Sequence, residues 1–466
     1  MTRNYKRPYI DDYMHHVESG KVETPREIKL SMTYIRQKLD NPDVFYDIKK
    51  TERAIELIER YFYDLMDWEL FVVALVHCYY QSTDTVVFDE FLIMVGTGNG
   101  KNGLISALSW YFTTQDHGIR NYNVDIVANS EEQAKTSFMD IYNMLDDNWA
   151  KTKRHFYKTK ETIKSLKTGA VIRFNTSNAK TRLGKRAGCL IFDEILEYED
   201  WVVYNAFEAS FGKIKHGRKF MITTNGYVRG GFLDDQLELA EKVLTGEITD
   251  LGFLPLIYKL DDEEEVHDES KWIKANPSLP YFPNLKAKIR DAYTKMAHQS
   301  QLAIDFMTKR MNLPKEDTFA VVAPWEKVMA TNQPIPYDQL EGLSCIGAID
   351  YSQVKDFTSV GLLFKHQGKR YWIEHTLVCH LALKMGSRRI KFPIEEAVDD
   401  GLITIINRDS IRASDVSAWF IEQGKKYNIT NIIGDRYRVE FLQDEFKKVG
   451  LPLKSVPSGP ITHAKV

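Results

Sequence analysis

Lys101 closes a glycine-rich run, Gly96-Thr97-Gly98-Asn99-Gly100-Lys101-Asn102, lying between the apolar residues FLIMV and the helical pattern LISAL. A buried strand, a glycine-rich turn and a helix start, in that order, make a phosphate site. Gly96, Gly98 and Gly100 let backbone N–H groups approach the anion, Thr97 and Asn99 complete the loop, and Lys101 reaches the β- and γ-phosphates. Val95 stands where a glycine is usual, and Asn102 stands where a serine or threonine usually meets Mg²⁺. An amide oxygen can approach the ion there, directly or through water. A plain turn after a strand has the same composition, so the loop gains weight from a second element. In Cys189-Leu190-Ile191-Phe192-Asp193-Glu194, four apolar residues form a strand whose end presents two carboxylates. Ligands sit at that end of parallel sheets. Asp193 is expected to hold Mg²⁺ and Glu194 to polarise the attacking water of ATP hydrolysis. A third strand, MITTNG, ends in Thr223, Thr224 and Asn225, where the γ-phosphate can be sensed and hydrolysis coupled to movement.

A second set of acids lies further on. Asp350 ends the strand-like AID and Asp435 ends IIGD, with Asp356 just after the first. Carboxylates from neighbouring strands converging on divalent cations are the core of an RNase H-like nuclease, in which metal ions clamp both oxygens of a phosphodiester. Each aspartate alone reads equally well as a turn or cap residue.

Elements must position these groups. A chain of 466 residues predicts two or three domains. The first 85 or so residues read as helical, with Ile55, Ile58, Phe62, Leu65 and Met66 at helical spacing, and residues 1–60 as an N-terminal segment. Residues 61–250 alternate strand and helix patterns, which predicts an α/β domain with a central, mostly parallel sheet. Residues 251–337, with the acidic run DDEEE, read as a helical linker, and 338–466 as a second α/β domain. Cys78, Cys189, Cys345 and Cys379 fit neither a metal pair nor a disulfide framework, which points to a reducing compartment. The polar start lacks a signal peptide's apolar region, and Leu70–Tyr80 is too short to span a membrane. The net charge of −3 does not mark the whole chain as a nucleic-acid binder, but local basic clusters exist. They are Lys151–Arg154 with Lys158 and Lys160, and Lys213–Lys219.

In combination these features resemble the large terminase subunit of tailed bacteriophages over nearly the whole chain. The resemblance rests on NGK at 99–101, VANSEEQAKTSF at 127–138, IFDE at 191–194 and TTNG at 223–226. It continues through WIKANPSLPYF at 272–282, FMTKRMNLP at 306–314 and AIDYS at 348–352. It implies a P-loop ATPase joined to a two-metal endonuclease, using ATP and Mg²⁺, with Mn²⁺ possible at the nuclease site. The implied partners are double-stranded DNA, a small terminase subunit, the portal protein of the procapsid and further copies of the chain in a ring, in the cytoplasm of an infected bacterium. Arg182 and Arg186 are candidates to reach a neighbouring subunit's γ-phosphate. The family often carries a Trp-Gln pair that contacts adenine; here Trp68 is followed by Glu69. Its nuclease uses a third acid on a late helix, so the nuclease domain is expected to be incomplete at the C-terminus. Two other readings stay open: a helicase-like remodeller without cutting activity, and an inactive structural subunit.

Overall fold

The computed structural model describes residues 7–176, 186–209, 211–227, 230–296, 299–314, 325–354, 356–384 and 393–456. The chain divides into two compact units, residues 1–322 and 323–466.

The first unit is built on an eight-stranded sheet. Its strands are β1 (Glu90–Met94), β2 (Asn123–Ala128), β3 (Phe156–Lys158), β4 (Ile163–Ser165), β5 (Val171–Thr176), β6 (Ala187–Asp193), β7 (Arg218–Thr223) and β8 (Phe253–Ile257). Their spatial order is β8-β1-β7-β6-β2-β5-β4-β3. The six strands from β8 to β5 run parallel, and β4 is antiparallel to both β5 and β3. β6 and β7 are buried at every position, as strands covered on both faces must be. Parallel pairing places the ends of β1, β6 and β7 side by side, and with them the phosphate loop, Asp193 and Thr223.

Helices α1 (Ile10–Glu18), α2 (Arg26–Leu39), α3 (Ile48–Tyr61) and α4 (Asp67–Leu75) precede the sheet, while α5 (Lys101–Phe112) and α6 (Glu131–Asp147) lie within it in sequence. The N-terminal helices are not a separate segment. Ile10, Met14, Ile28, Ile35, Ile55 and Ile58 belong to the same hydrophobic core as the sheet. The apolar spacing read as one helical stripe is divided: α3 ends at Tyr61, Phe62 caps it, and Leu65 and Met66 lie in the connection to α4.

The linker reading of 251–337 is also corrected. β8 joins the sheet edge beside β1, and its FLPLI is wholly buried. Pro255 lacks an N–H, which an edge strand tolerates, and its carbonyl accepts from the Ser31 hydroxyl at 2.8 Å. The boundary between the units falls at 322/323, not 337/338.

The second unit holds a six-stranded mixed sheet of β9 (Ser344–Asp350), β10 (Thr358–His366), β11 (Lys369–Cys379), β12 (Ile403–Ile406), β13 (Asn428–Asp435) and β14 (Leu453–Val456), in the order β12-β11-β10-β9-β13-β14. Its core includes Val416 and Phe420 of α7 (Ala413–Gly424) and Leu442 and Phe446 of α8 (Arg436–Lys448). All four cysteines are buried and unpaired. No helix among the described residues is long and apolar enough to cross a membrane.

Candidate nucleotide and metal sites

At the end of β1 the chain turns through Gly98 (φ +94°) and Gly100 (φ +87°), both left-handed and therefore suited to glycine. Gly100 is the N-cap of α5, whose first N–H groups have no partner within the helix. The Lys101 side chain is 9% exposed and its Nζ lies 2.7 Å from Glu194 Oε1. Glu194 itself sits at φ +49°, a left-handed position directly after β6. Asn102 Nδ2 donates to Asp193 Oδ2 at 3.0 Å and to the buried Ser137 hydroxyl of α6 at 3.4 Å. The loop and the β6 acids thus converge. Asn102 turns its N–H₂ toward Asp193, whereas the sequence suggested that its oxygen would face a metal.

Burial pushes the Asp193 carboxyl up to about 7; Glu194's charge adds to the rise, and Lys101 and Asn102 oppose it. Asp193 Oδ1 and Glu194 Oε2 are buried with no hydrogen-bond partner among the described residues. Orphaned carboxylate oxygens beside a phosphate loop fit a hard divalent cation such as Mg²⁺. Thr223 ties the region together: its carbonyl accepts from Val95 N at 3.2 Å and its hydroxyl from Leu196 N at 3.2 Å.

Two segments with no assigned chemistry form a cradle around the loop. From the first, Ala275 O accepts from Gly96 N at 2.9 Å, and Asn276 Oδ1 accepts from Asn99 Nδ2 at 2.7 Å. Ser278 binds Asn99 twice and accepts from the Trp68 indole at 3.0 Å. From the second, Lys309 O accepts from Thr97 N at 2.9 Å, and Arg310 Nη1 donates to Thr97 O at 2.5 Å. Gly96 is required by close approach, since a Cβ there would meet Arg310 O at 2.4 Å and Asn276 Oδ1 at 2.5 Å. Asn312 holds Asn225 through two hydrogen bonds of 2.9 and 3.1 Å. Trp68 is fully buried. Glu69 beside it accepts from Tyr63 Oη at 2.9 Å and Met66 N at 3.1 Å, and burial raises its carboxyl to about 7.

In the second unit, Asp350 and Asp435 end adjacent parallel strands, with Ile349 opposite Gly434. Both acids and Asp356 line one cavity of about 470 Å³, together with Ser352, Ser359 and Thr376. The loop after Asp350 is pinned by Thr358, whose hydroxyl accepts from Ser352 N at 3.0 Å and donates to Ser352 O at 2.7 Å. Asp356 Oδ1 accepts from Phe357 N at 2.9 Å. The oxygen donors are those that Mg²⁺ or Mn²⁺ takes, yet among the described residues no group of three acids, histidines or cysteines converges closely enough to hold an ion.

With both sites in view, the sequence matches the model of the terminase large-subunit ATPase domain over residues 67–242 and that of the endonuclease domain over 247–459. The chain belongs to the terminase large-subunit family. The terminase large subunit of Lactococcus phage p2 is 23% identical over 347 residues, covering 71% of this chain and 61% of the relative. Protein YmfN of Escherichia coli K12 is 23% identical over 255 residues, 51% of this chain and 55% of that protein. The chain thus spans about 61% of the length of its curated phage relative. The crystal structure of the HK97 bacteriophage large terminase aligns over 88% of this chain and 85% of its own, with a TM-score of 0.58 and 18% identity. That likeness concerns the fold. The endonuclease match begins at 247, while β8 and both cradle segments pack in the first unit.

Other terminase-like expectations fall differently. Arg182 lies outside the described residues. Arg186 is exposed and immediately precedes β6, at the opposite end of that strand from Asp193. The Lys213–Lys219 cluster is largely engaged: Arg218 is fully buried and donates to Val76 O at 2.6 Å, Lys219 pairs with Glu90 at 2.9 Å, and Lys215 pairs with Asp84.

Proposed function

We propose that this chain is the motor subunit of a phage DNA-packaging machine, hydrolysing ATP to drive double-stranded DNA into a procapsid and cutting concatemeric DNA with its second unit. The observation that carries the reading is the convergence of Lys101, Asn102, Asp193 and Glu194 at one end of a parallel sheet. In this reading Lys101 and the first N–H groups of α5 bind and orient the β- and γ-phosphates. Glu194 takes the proton of the attacking water at its carboxylate. Asn102 holds Asp193 through Oδ2, leaving Oδ1 directed to the site. Asp193 would hold a Mg²⁺ that neutralises phosphate charge. Thr223, Thr224 and Asn225 would report the γ-phosphate to the cradle through Asn312.

In the second unit Asp350, Asp435 and Asp356 would bind the divalent cation of the nuclease. A homo-oligomeric ring, the small terminase subunit, the portal protein and the cytoplasm of the infected bacterium complete the setting. DNA cutting is tested with plasmid in Mn²⁺. We expect cleavage by the chain to be lost in Asp350→Ala while ATP hydrolysis persists. Cleavage undiminished in that variant would remove the nuclease assignment and leave the motor assignment standing.

A further inference from the structure

Residues 151–167 contain seven lysines and arginines against one acid, Glu161, in a chain whose net charge is −3. The structure sorts these cations. Lys158 is engaged: its Nζ pairs with Asp146 at 2.5 Å, lies 3.8 Å from the centre of the Tyr142 ring and is covered by Trp149. The other six, Lys151, Lys153, Arg154, Lys160, Lys164 and Lys167, are exposed, and none has an ion-pair partner among the described residues. They decorate the β3–β4 ribbon and its flanking turns at the edge of the sheet. Tyr157, 56% exposed, stands directly opposite Lys164.

The ribbon is built to hold this charge in place. The Thr159 hydroxyl accepts from Glu161 N at 3.2 Å and Thr162 N at 3.0 Å, and Thr159 N donates to Thr162 O at 2.8 Å. This fixes the turn that presents Lys160. Since β3 is antiparallel to β4, and β4 to β5, that turn lies at the same end of the sheet as Asp193. Four strand spacings separate β3 from β6, roughly 19 Å. Lysines on an edge strand also discourage edge-to-edge pairing. Here the edge strand is β3, whose single lysine is the engaged Lys158; Lys164 lies on β4, which is paired on both sides, and Lys151, Lys153, Arg154, Lys160 and Lys167 lie outside both strands, so edge protection does not account for them.

We propose that this ribbon grips the phosphate backbone of double-stranded DNA without reading its sequence. A dense, unpaired positive surface complements a polyanion, and an aromatic ring among the cations can pack on sugars. Its position on the unit that carries the phosphate loop would let the grip follow the nucleotide state. The inference rests on the motor reading above, and the test separates the two.

The full chain is titrated into a labelled duplex of arbitrary sequence over a series of KCl concentrations, with basal ATP hydrolysis measured in parallel. The triple variant K160Q/K164Q/K167Q should bind about tenfold or more weakly, and its slope of log K against log[salt] should be shallower by about 2 to 3. Arginine at the same three positions should keep the binding, and Glu161→Lys should tighten it, a gain that misfolding cannot produce. ATP hydrolysis without DNA should be unchanged in all of them. Equal affinity and slope in the triple variant, with ATP hydrolysis intact, would overturn the ribbon inference alone. A wild-type chain that neither binds DNA nor hydrolyses ATP would overturn the motor reading, and this inference with it.

Discussion

Asp193 and Glu194 are consecutive residues with different surroundings. Asp193 is 1% exposed and hydrogen-bonded to Asn102, while Glu194, in a left-handed backbone position, pairs with Lys101. The two isosteric amide substitutions should therefore have different effects. Glu194→Gln should lower ATP turnover by about 10²–10⁴-fold and leave Mg-ATP binding near wild type. Asp193→Asn should raise the Mg²⁺ concentration needed for nucleotide binding. Calorimetric titration beside steady-state turnover distinguishes them, and indistinguishable binding defects would contradict the division of roles. These residues were legible in the sequence because each signal is local: an apolar run ending in acids, and glycines ending in a lysine. Their partners were not. Asn99 and Asn276 are 177 positions apart, and asparagine near glycine or proline reads as a turn residue wherever it occurs. The motif WIKANPSLP was conspicuous, but its role as one side of the cradle needed coordinates.

At the scale of elements, the helices around the loop carry a charge that burial makes costly. Glu69 caps the start of α4, closes over the loop beside Gly100, and is fully buried. Its carboxyl is raised from 4.5 to about 7, chiefly by burial, with Met66 N and Tyr63 opposing. A raised carboxyl contributes most favourably below its unfolded value and loses that contribution as pH rises through the folded one. Wild-type stability should therefore fall between pH 4.5 and about 7 relative to Glu69→Gln, by on the order of 3 kcal/mol. Denaturant titrations of both proteins across that window measure the difference; a constant difference would mean the carboxyl is not held neutral by burial. The same scale shows where periodicity fell short. The alternation from 86 to 226 announced the parallel sheet, and β1, β6 and β7 followed from their apolar runs. β8 did not, since FLPLI stands just before the acidic run DDEEE, which suggested a linker. Its burial comes chiefly from α2, which is distant in sequence: Tyr34 Oη of α2 donates to Leu251 O at 2.7 Å, just ahead of β8.

For the whole molecule, two separately cored units carry two separate acid sites, and the family's two domain models cover them in the same order. The sequence located both units by their strand patterns. It misplaced their junction, because residues 258–312 are held to the first unit by side-chain contacts to the phosphate loop, not by a regular apolar period. In the proposed motor the first unit is an ATPase whose phosphate loop depends on Lys101. The most direct measurement is ATP hydrolysis by Lys101→Ala, with circular dichroism and thermal unfolding to establish that the variant is folded. Lys101 is held by Glu194 and not by the apolar core, so the account predicts a folded protein whose turnover is lower by several orders of magnitude. A folded Lys101→Ala protein that turns over ATP near the wild-type rate would contradict it.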